Sequence, residues 1–238
     1  AMQTSSDFFA NEDTARLCAV FEENSRGVAH YERMGIFEHS NPDDFTIHFQ
    51  TYARQALNAS TANNTNVLDT SIGTGSIWRG FQGIHLTGFD YAAAAVAACS
   101  RTRRAQELHH LDISNPRTPW PVKDDSFGMV VSHTALVYIP DARIVLQRMF
   151  AKAAPGGSVL LEMQVASDVP QATTLRDTYQ SFGNVIPVFF HTHALMREEA
   201  QAAHMSIELL ESKDMPPNFG NTHYPVKQNY YLLQKPGL

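Results

Sequence analysis

Short apolar runs alternate with stretches of helical spacing along most of this chain. Val67-Leu68-Asp69, Ile84 to Phe89, Leu108 to Ile113, Met129-Val130-Val131 and Ser158 to Glu162 each read as a strand. Between them lie a helix beginning near Ser76, an Ala-rich helix from Ala92 to Ser100, and a helix from about Asp141 to Ala153. Strands alternating with helices predict a parallel sheet covered on both faces. The tail is patterned differently, with a helix from Thr192 to Met205 and strands at Ile207 to Leu210 and Tyr230 to Leu233. No helix separates those last two strands, so they are expected to pair antiparallel at the sheet edge. Ahead of the first strand the pattern is helical. Leu17, Val20 and Phe21 mark one helix. Asn41-Pro42-Asp43-Asp44 supplies a capping side chain, a first-turn proline and acids at the positive end of the dipole of a second. Phe45, Phe49, Tyr52, Ala53, Ala56 and Leu57 give that second helix its apolar face, and Asn63 to Asn66 ends the helical region.

No repeat or low-complexity linker interrupts this order, so residues 1–238 are expected to form a single domain. Its parts are a helical cover (1–62), a strand-helix core (66–163) and a segment of cover and edge strands (164–238). The hydrophobic content of 43% supports a sizeable core. Net charge is −6, and the one dense basic stretch, Arg101 to Arg104, follows a helix whose dipole it complements. A nucleic-acid partner, which needs a broad basic face, is therefore not expected. Cys18 and Cys99 fall on apolar helix faces and read as buried thiols rather than a disulfide. No run is long enough to span a membrane and no signal peptide is visible, which sets a cytoplasmic expectation. Monomer and homodimer both remain open.

The most informative stretch is Val67-Leu68-Asp69-Thr70-Ser71-Ile72-Gly73-Thr74-Gly75. A strand ends on a carboxylate, and glycines then let the backbone approach a ligand at a helix start. A dinucleotide fingerprint would place a third glycine where Trp78 stands, and would not carry Asp69 at the strand end. The segment instead resembles the first motif of class I S-adenosylmethionine-dependent methyltransferases, an acid followed by alternating glycines, with Ser71 in place of the first glycine. Serine retains the turn provided its φ is negative. Further matches follow in order. Asp90 ends the second strand, where the family binds the ribose hydroxyls, and Tyr91 follows as a ring for the adenine. Asp112-Ile113 resembles the family's adenine-binding pair, Asp125 to Val131 its approach to the fourth strand, and Ala154-Pro155-Gly156-Gly157 its turn before the fifth.

The resemblance spans residues 66 to 163. It implies a Rossmann-like, seven-stranded, mostly parallel sheet and S-adenosyl-L-methionine as cofactor. It also implies a site made of Asp69, Ser71, Gly73, Gly75, Asp90, Tyr91, Asp112, Ile113 and Ser132, with Tyr31 and Arg33 closing over it and Arg33 or Arg54 pairing the cofactor's carboxylate. Three acids ending consecutive parallel strands would meet at one sheet edge, where ligands bind in such folds.

Methyl transfer requires the acceptor to be held in line, plus a base when the acceptor must lose a proton. His133, at the end of the fourth strand, is the candidate base. His191-Thr192-His193 places two imidazoles two apart, but without further ligands no metal is predicted; Thr192 reads as a helix cap, with the two histidines facing pocket or water. The acceptor pocket should come from the N-terminal helices, the stretch from Gln164 to Phe190 and the loop from Met215 to Pro225. A small-molecule acceptor is the leading expectation. Two alternatives keep the cofactor: transfer or cyclisation of its aminocarboxypropyl chain with release of methylthioadenosine, and a non-methylating role such as a pericyclase.

Overall fold

The computed structural model describes residues 8–33, 44–181, 184–215 and 224–237. Asn41 to Asp43, Phe182 and most of the loop before Pro225 lie outside them, as do the side chains of Tyr31, Arg33 and Phe45. Helix α1 spans Glu12–Arg33 and α2 Asp44–Ala59. They are followed by β1 (Asn66–Asp69), β2 (His85–Asp90), α3 (Ala93–Thr102), β3 (Glu107–His110), β4 (Phe127–His133), α4 (Ala142–Lys152) and β5 (Ala153–Ala166). A hairpin of β6 (Thr174–Ser181) and β7 (Asn184–Thr192), helix α5 (His193–Ala202), β8 (Ser206–Asp214) and β9 (Val226–Gln234) complete the chain.

Strands β3, β2, β1, β4 and β5 are neighbours in that order and all parallel. Strand β9 runs antiparallel along β5, from Ser158 opposite Gln234 to Ala166 opposite Val226, and β8 pairs antiparallel with β9. The expected seven-stranded, mostly parallel sheet with its antiparallel pair is therefore present. Its two faces follow from strand alternation. Val67, Met129, Val131, Leu160 and Leu232 pack under Phe49, Ala53 and Ala56 of α2 and Cys99 of α3. Leu68, Val130, Val159, Leu161 and Leu233 pack against Leu146 and Met149 of α4 and Leu195 and Met196 of α5. Asp141 caps α4 by accepting from the Arg143 N–H at 3.2 Å, and the Thr192 hydroxyl caps α5 by accepting from the Leu195 N–H at 3.3 Å.

Two features depart from the sequence expectation. The helix expected from Ser76 is a single 3-10 turn, Ser76–Trp78. Gly75, Gly80 and Gly83 all have positive φ, and this punctuation stops a helix from propagating. The hairpin β6–β7 adds two strands that were expected only as cover. Val165 and Ala166 of β5 pair in parallel with His191 and Thr192 of β7. Since β9 occupies one edge of β5, the hairpin must use the other edge, which β4 leaves after His133 opposite Glu162. It thus stands over the C-terminal end of β4.

Candidate active site

The C-terminal ends of β1, β2 and β4 and the segment after β3 open onto a cavity of about 320 Å³. Thr70, Ser71, Gly73 and Thr74 from the loop after β1 line it, with Asp90 and Tyr91, the stretch Leu111 to Ser114, and His133 to Ala135 with Tyr138. The loop is tied to both neighbouring strands. Thr70 N–H donates to Val131 O at 2.9 Å, Ile72 N–H to Phe89 O at 2.9 Å, and the Ser71 hydroxyl to His133 O at 3.3 Å. Gly73 and Gly75 sit at φ 57° and 74°, and a Cβ on Gly75 would lie 2.7 Å from Cys99 Sγ. Ser71 is not among the positive-φ residues, so a side chain there costs nothing in backbone conformation.

The three acids divide their work. Asp69 is fully buried and does not line the cavity; Oδ1 accepts from Ser71 N–H at 2.9 Å and Oδ2 from the Trp78 indole N–H at 2.6 Å. Burial pushes its pKa up to about 7, against the pull of those two hydrogen bonds. Asp90 does line the cavity, and holds Gly73 N–H on Oδ2 and Ala92 N–H on Oδ1, each at 2.9 Å. Burial pushes it up to about 6. Asp112, also lining, accepts from Ser114 N–H and its hydroxyl on Oδ1 and from Ala10 N–H on Oδ2 at 2.8 Å.

Of the other expected residues, Ser71, Gly73, Tyr91, Ile113 and His133 reach the cavity, while Gly75 and Ser132 do not line it. Ser132 shares the alternation of Val130, which turns its side chain to the opposite face from His133, and it is fully buried there. Arg54 stacks over the Phe81 ring at 4.3 Å rather than meeting the cavity. His191 is also not the solvent- or pocket-facing residue expected. It is fully buried between the Thr174 hydroxyl (2.8 Å) and Leu136 O (2.8 Å), and burial pushes its pKa down to about 4. His193 stacks on Tyr231 and shares a hydrogen bond with its hydroxyl at 2.9 Å. Among the described residues no three His, Cys, Asp or Glu side chains converge to hold a metal ion, and no helix is long and apolar enough to cross a membrane.

The N-terminal helices were expected to contribute to the pocket, but sequence reasoning did not name the α1 residues that do so, and it missed one acid beside the cavity. Thr14, Phe21, Asn24 and Ser25 of α1 face the strand ends. The Phe21 ring lies 4.9 Å from Tyr138 and 6.0 Å from Tyr91. Helix α1 is held there by Cys18 Sγ donating to Tyr91 O at 3.1 Å and by Glu22, whose carboxylate accepts from Ala93 and Ala94 N–H at the start of α3. The missed acid is Glu162 of β5, opposite His133 and only 1% exposed.

The parallel order, the acid-glycine loop after β1 and a cavity at the carboxyl strand edge define a Rossmann-like fold with a small-ligand cavity. Residues 68–161 match the family model described as a methyltransferase domain. No curated protein matches the chain in sequence. Among solved structures it is similar to DesVI of Streptomyces venezuelae (TM-score 0.59, 15% identity, 87% of this chain and 98% of that one). It is also similar to S-adenosylmethionine-bound CalS10, an amino pentose methyltransferase of Micromonospora echinaspora (0.59, 15%, 81% and 92%). A third relative in structure is the [4+2]-cyclase SpnF (0.54, 14%, 79% and 82%). At these identities the likeness is one of fold, and the cyclase among them means that fold alone does not fix the reaction.

Proposed function

We propose that this chain binds S-adenosyl-L-methionine in the cavity and transfers its methyl group to a small-molecule acceptor. The observation that carries this reading is the convergence of Asp90, Tyr91, Asp112 and Ile113 with the Ser71–Thr74 loop on one cavity, with His133 lining it as well. The residues present fit such a cofactor. Each carboxylate oxygen has two lone pairs, so Asp90 can accept both ribose hydroxyls without releasing Gly73 or Ala92. Asp112 Oδ2 keeps one lone pair for the adenine amino group beside the apolar side chain of Ile113. The volume lies at the lower end of the range of small-molecule sites, about 300–1,000 Å³. S-adenosylmethionine supplies the electrophilic methyl group. The rings of Phe21 and Tyr138 offer π faces to a sulfonium, and His133 accepts the proton of a hydroxyl or amine acceptor.

The test is incubation of the purified protein with S-adenosylmethionine, followed by mass spectrometry of the small molecules and thermal unfolding with S-adenosylhomocysteine. Saturation at 100 times Kd should add about 2.7 kcal/mol of stability, and Asp90→Ala should abolish that gain. Absence of any such gain in the wild type refutes cofactor binding. Methylthioadenosine formed by the wild type and lost in Asp90→Ala would assign the aminocarboxypropyl chemistry instead of methyl transfer.

A further inference from the structure

The buried Glu162 has no part in the cofactor contacts described above, yet the local geometry is organised around it. Gln164 and Gln228 face each other across β5 and β9, themselves 3% and 7% exposed. Both donate their side-chain amides to Glu162 Oε1, at 3.0 and 2.9 Å. This clamp leaves Oε2 for the Thr134 backbone N–H, which donates to it at 2.7 Å. All three donors are N–H groups and favour the ionised carboxylate, against the burial that pushes its pKa up to about 7. Thr134 stands at φ 58°, a conformation that a β-branched residue adopts only when its surroundings impose it. The Thr134 hydroxyl in turn lies 3.0 Å from His133 Nδ1, and Phe49 packs edge-to-face on the same imidazole at 4.7 Å.

We propose that Glu162 is the positioning residue of the transfer end of the cavity: by holding the Thr134 N–H it forces the left-handed turn that presents the Thr134 hydroxyl to His133 and sets the direction of the imidazole. The inference rests on the reading of His133 as the group that meets the acceptor. Glu162 acts through Thr134 and touches neither cofactor nor acceptor. A purely structural filler would not need a carboxylate here, because an apolar side chain of that size would avoid the desolvation of a buried charge. The other titratable groups facing Glu162 are His133 on β4, Tyr230 opposite it on β9, and Tyr138, whose phenol is pushed up to about 12 mainly by burial and then by the Glu162 charge.

The experiment is long-range proton–nitrogen NMR of the histidine rings across a pH series, on the full chain, for wild type, Glu162→Gln and Glu162→Asp. His109, on β3 at the far side of the sheet from β5, reports that the fold is intact. S-adenosylhomocysteine affinity by calorimetry is measured alongside. The expected result is altered His133 ring tautomer populations in Glu162→Gln, with a titration midpoint lowered by up to about one pH unit, to the extent that Glu162, pushed up to about 7 by burial, is ionised there. Glu162→Asp should recover part of the change, and S-adenosylhomocysteine affinity should stay within about twofold. His133 tautomer populations indistinguishable from wild type in Glu162→Gln overturn the proposal. If Glu162→Gln does not fold, Thr134→Gly decides. Glycine keeps the turn without strain but removes the hydroxyl, so the ring should change tautomer population with the fold retained, and an unchanged ring overturns the proposal. Failure of wild type to bind S-adenosylhomocysteine would refute the cofactor reading and leaves the His133 measurement to judge Glu162 by itself.

Discussion

Substituting Trp78 by Phe tests the most unusual feature of the cofactor loop, a fully buried carboxylate held by an indole. Two effects follow, and pH separates them. The first is packing. Trp78 is 2% exposed and touches Phe49 and Phe81, and shortening it costs about 1–2 kcal/mol at any pH. The second is electrostatic. Asp69 titrates near 7 in the fold, against an ordinary 3.8, because burial penalises its charge more than the Trp78 and Ser71 bonds favour it. A raised folded pKa means the folded state holds the extra proton, so this group makes stability fall as pH climbs from about 4 to about 7, then level off. Removing the indole donor takes away a hydrogen bond to a charged group, worth about 1.5–3 kcal/mol. At about 1.4 kcal/mol per unit, the folded pKa rises a further one to two units. Near pH 5.5 the carboxyl is protonated in both proteins, and Trp78→Phe should show the packing loss plus about 1 kcal/mol for a hydrogen bond to a neutral carboxyl. Near pH 9 it should lose about 1–2 kcal/mol more, the difference between the charged and the neutral hydrogen bond. Urea unfolding followed by circular dichroism at the two pH values measures both. Equal losses at the two pH values would refute the assignment of Asp69 as a near-neutral carboxyl held by Trp78.

Other expectations concern the same loop and its cavity. Gly75→Ala meets both a φ of 74° and Cys99 Sγ at 2.7 Å, so it should cost about 2–4 kcal/mol in thermal unfolding; adding Cys99→Ala should restore the steric part and leave the roughly 1 kcal/mol backbone part. S-adenosylhomocysteine affinity should rise as pH climbs from 5 to 7, since Asp90 is pushed up to about 6 and accepts the ribose hydroxyls best when ionised; a flat calorimetric profile would contradict that role. Asp90→Asn should weaken binding by about tenfold to a hundredfold in the same assay, as it replaces one accepting oxygen by a donor. Thr192→Ala should lower stability by about 1 kcal/mol in urea without changing affinity, because it uncaps α5 far from the cofactor contacts.

Much of the frame was legible because it is written locally. Each of β1, β2, β4 and β5 is announced by its own apolar run, and Asp141 and Thr192 cap their helices from one position before them. Asp90 was legible as a strand-end acid because the Rossmann order makes position along a strand equivalent to position at the site, whereas Asp112 reaches the same edge from the segment after β3, which ends at His110 rather than Ile113. What escaped depended on distant partners. Asp69 and Asp90 look alike in sequence, and only Trp78 folding back over Asp69 turns one inward and leaves the other facing the cavity. Glu162 was read only as the last residue of the fifth strand, whereas β5 continues to Ala166 and β9 buries Glu162 under Gln228. The wall supplied by Phe21 and Asn24 is set by tertiary docking of α1, which no local pattern encodes. The hairpin was hidden because β6, from Thr174 to Ser181, is largely polar, and because Pro187 interrupts the apolar run of β7. The side to which Ser132 points, by contrast, was available from simple alternation with Val130.

That hairpin also has a bearing on solubility. Strand β5 outruns β4, so beyond Glu162 its backbone N–H and C=O groups on that side would stand open, and β7 covers them with the pairs at Val165 and Ala166. An uncovered apolar edge is a template for pairing with another chain. Excising the hairpin should therefore yield a protein that self-associates through β5, whereas exchanging its outward-facing residues, such as the 69% exposed Val185, leaves that edge sealed. The hairpin can vary in its surface but not in its presence, because β7 seals the β5 edge at Val165 and Ala166.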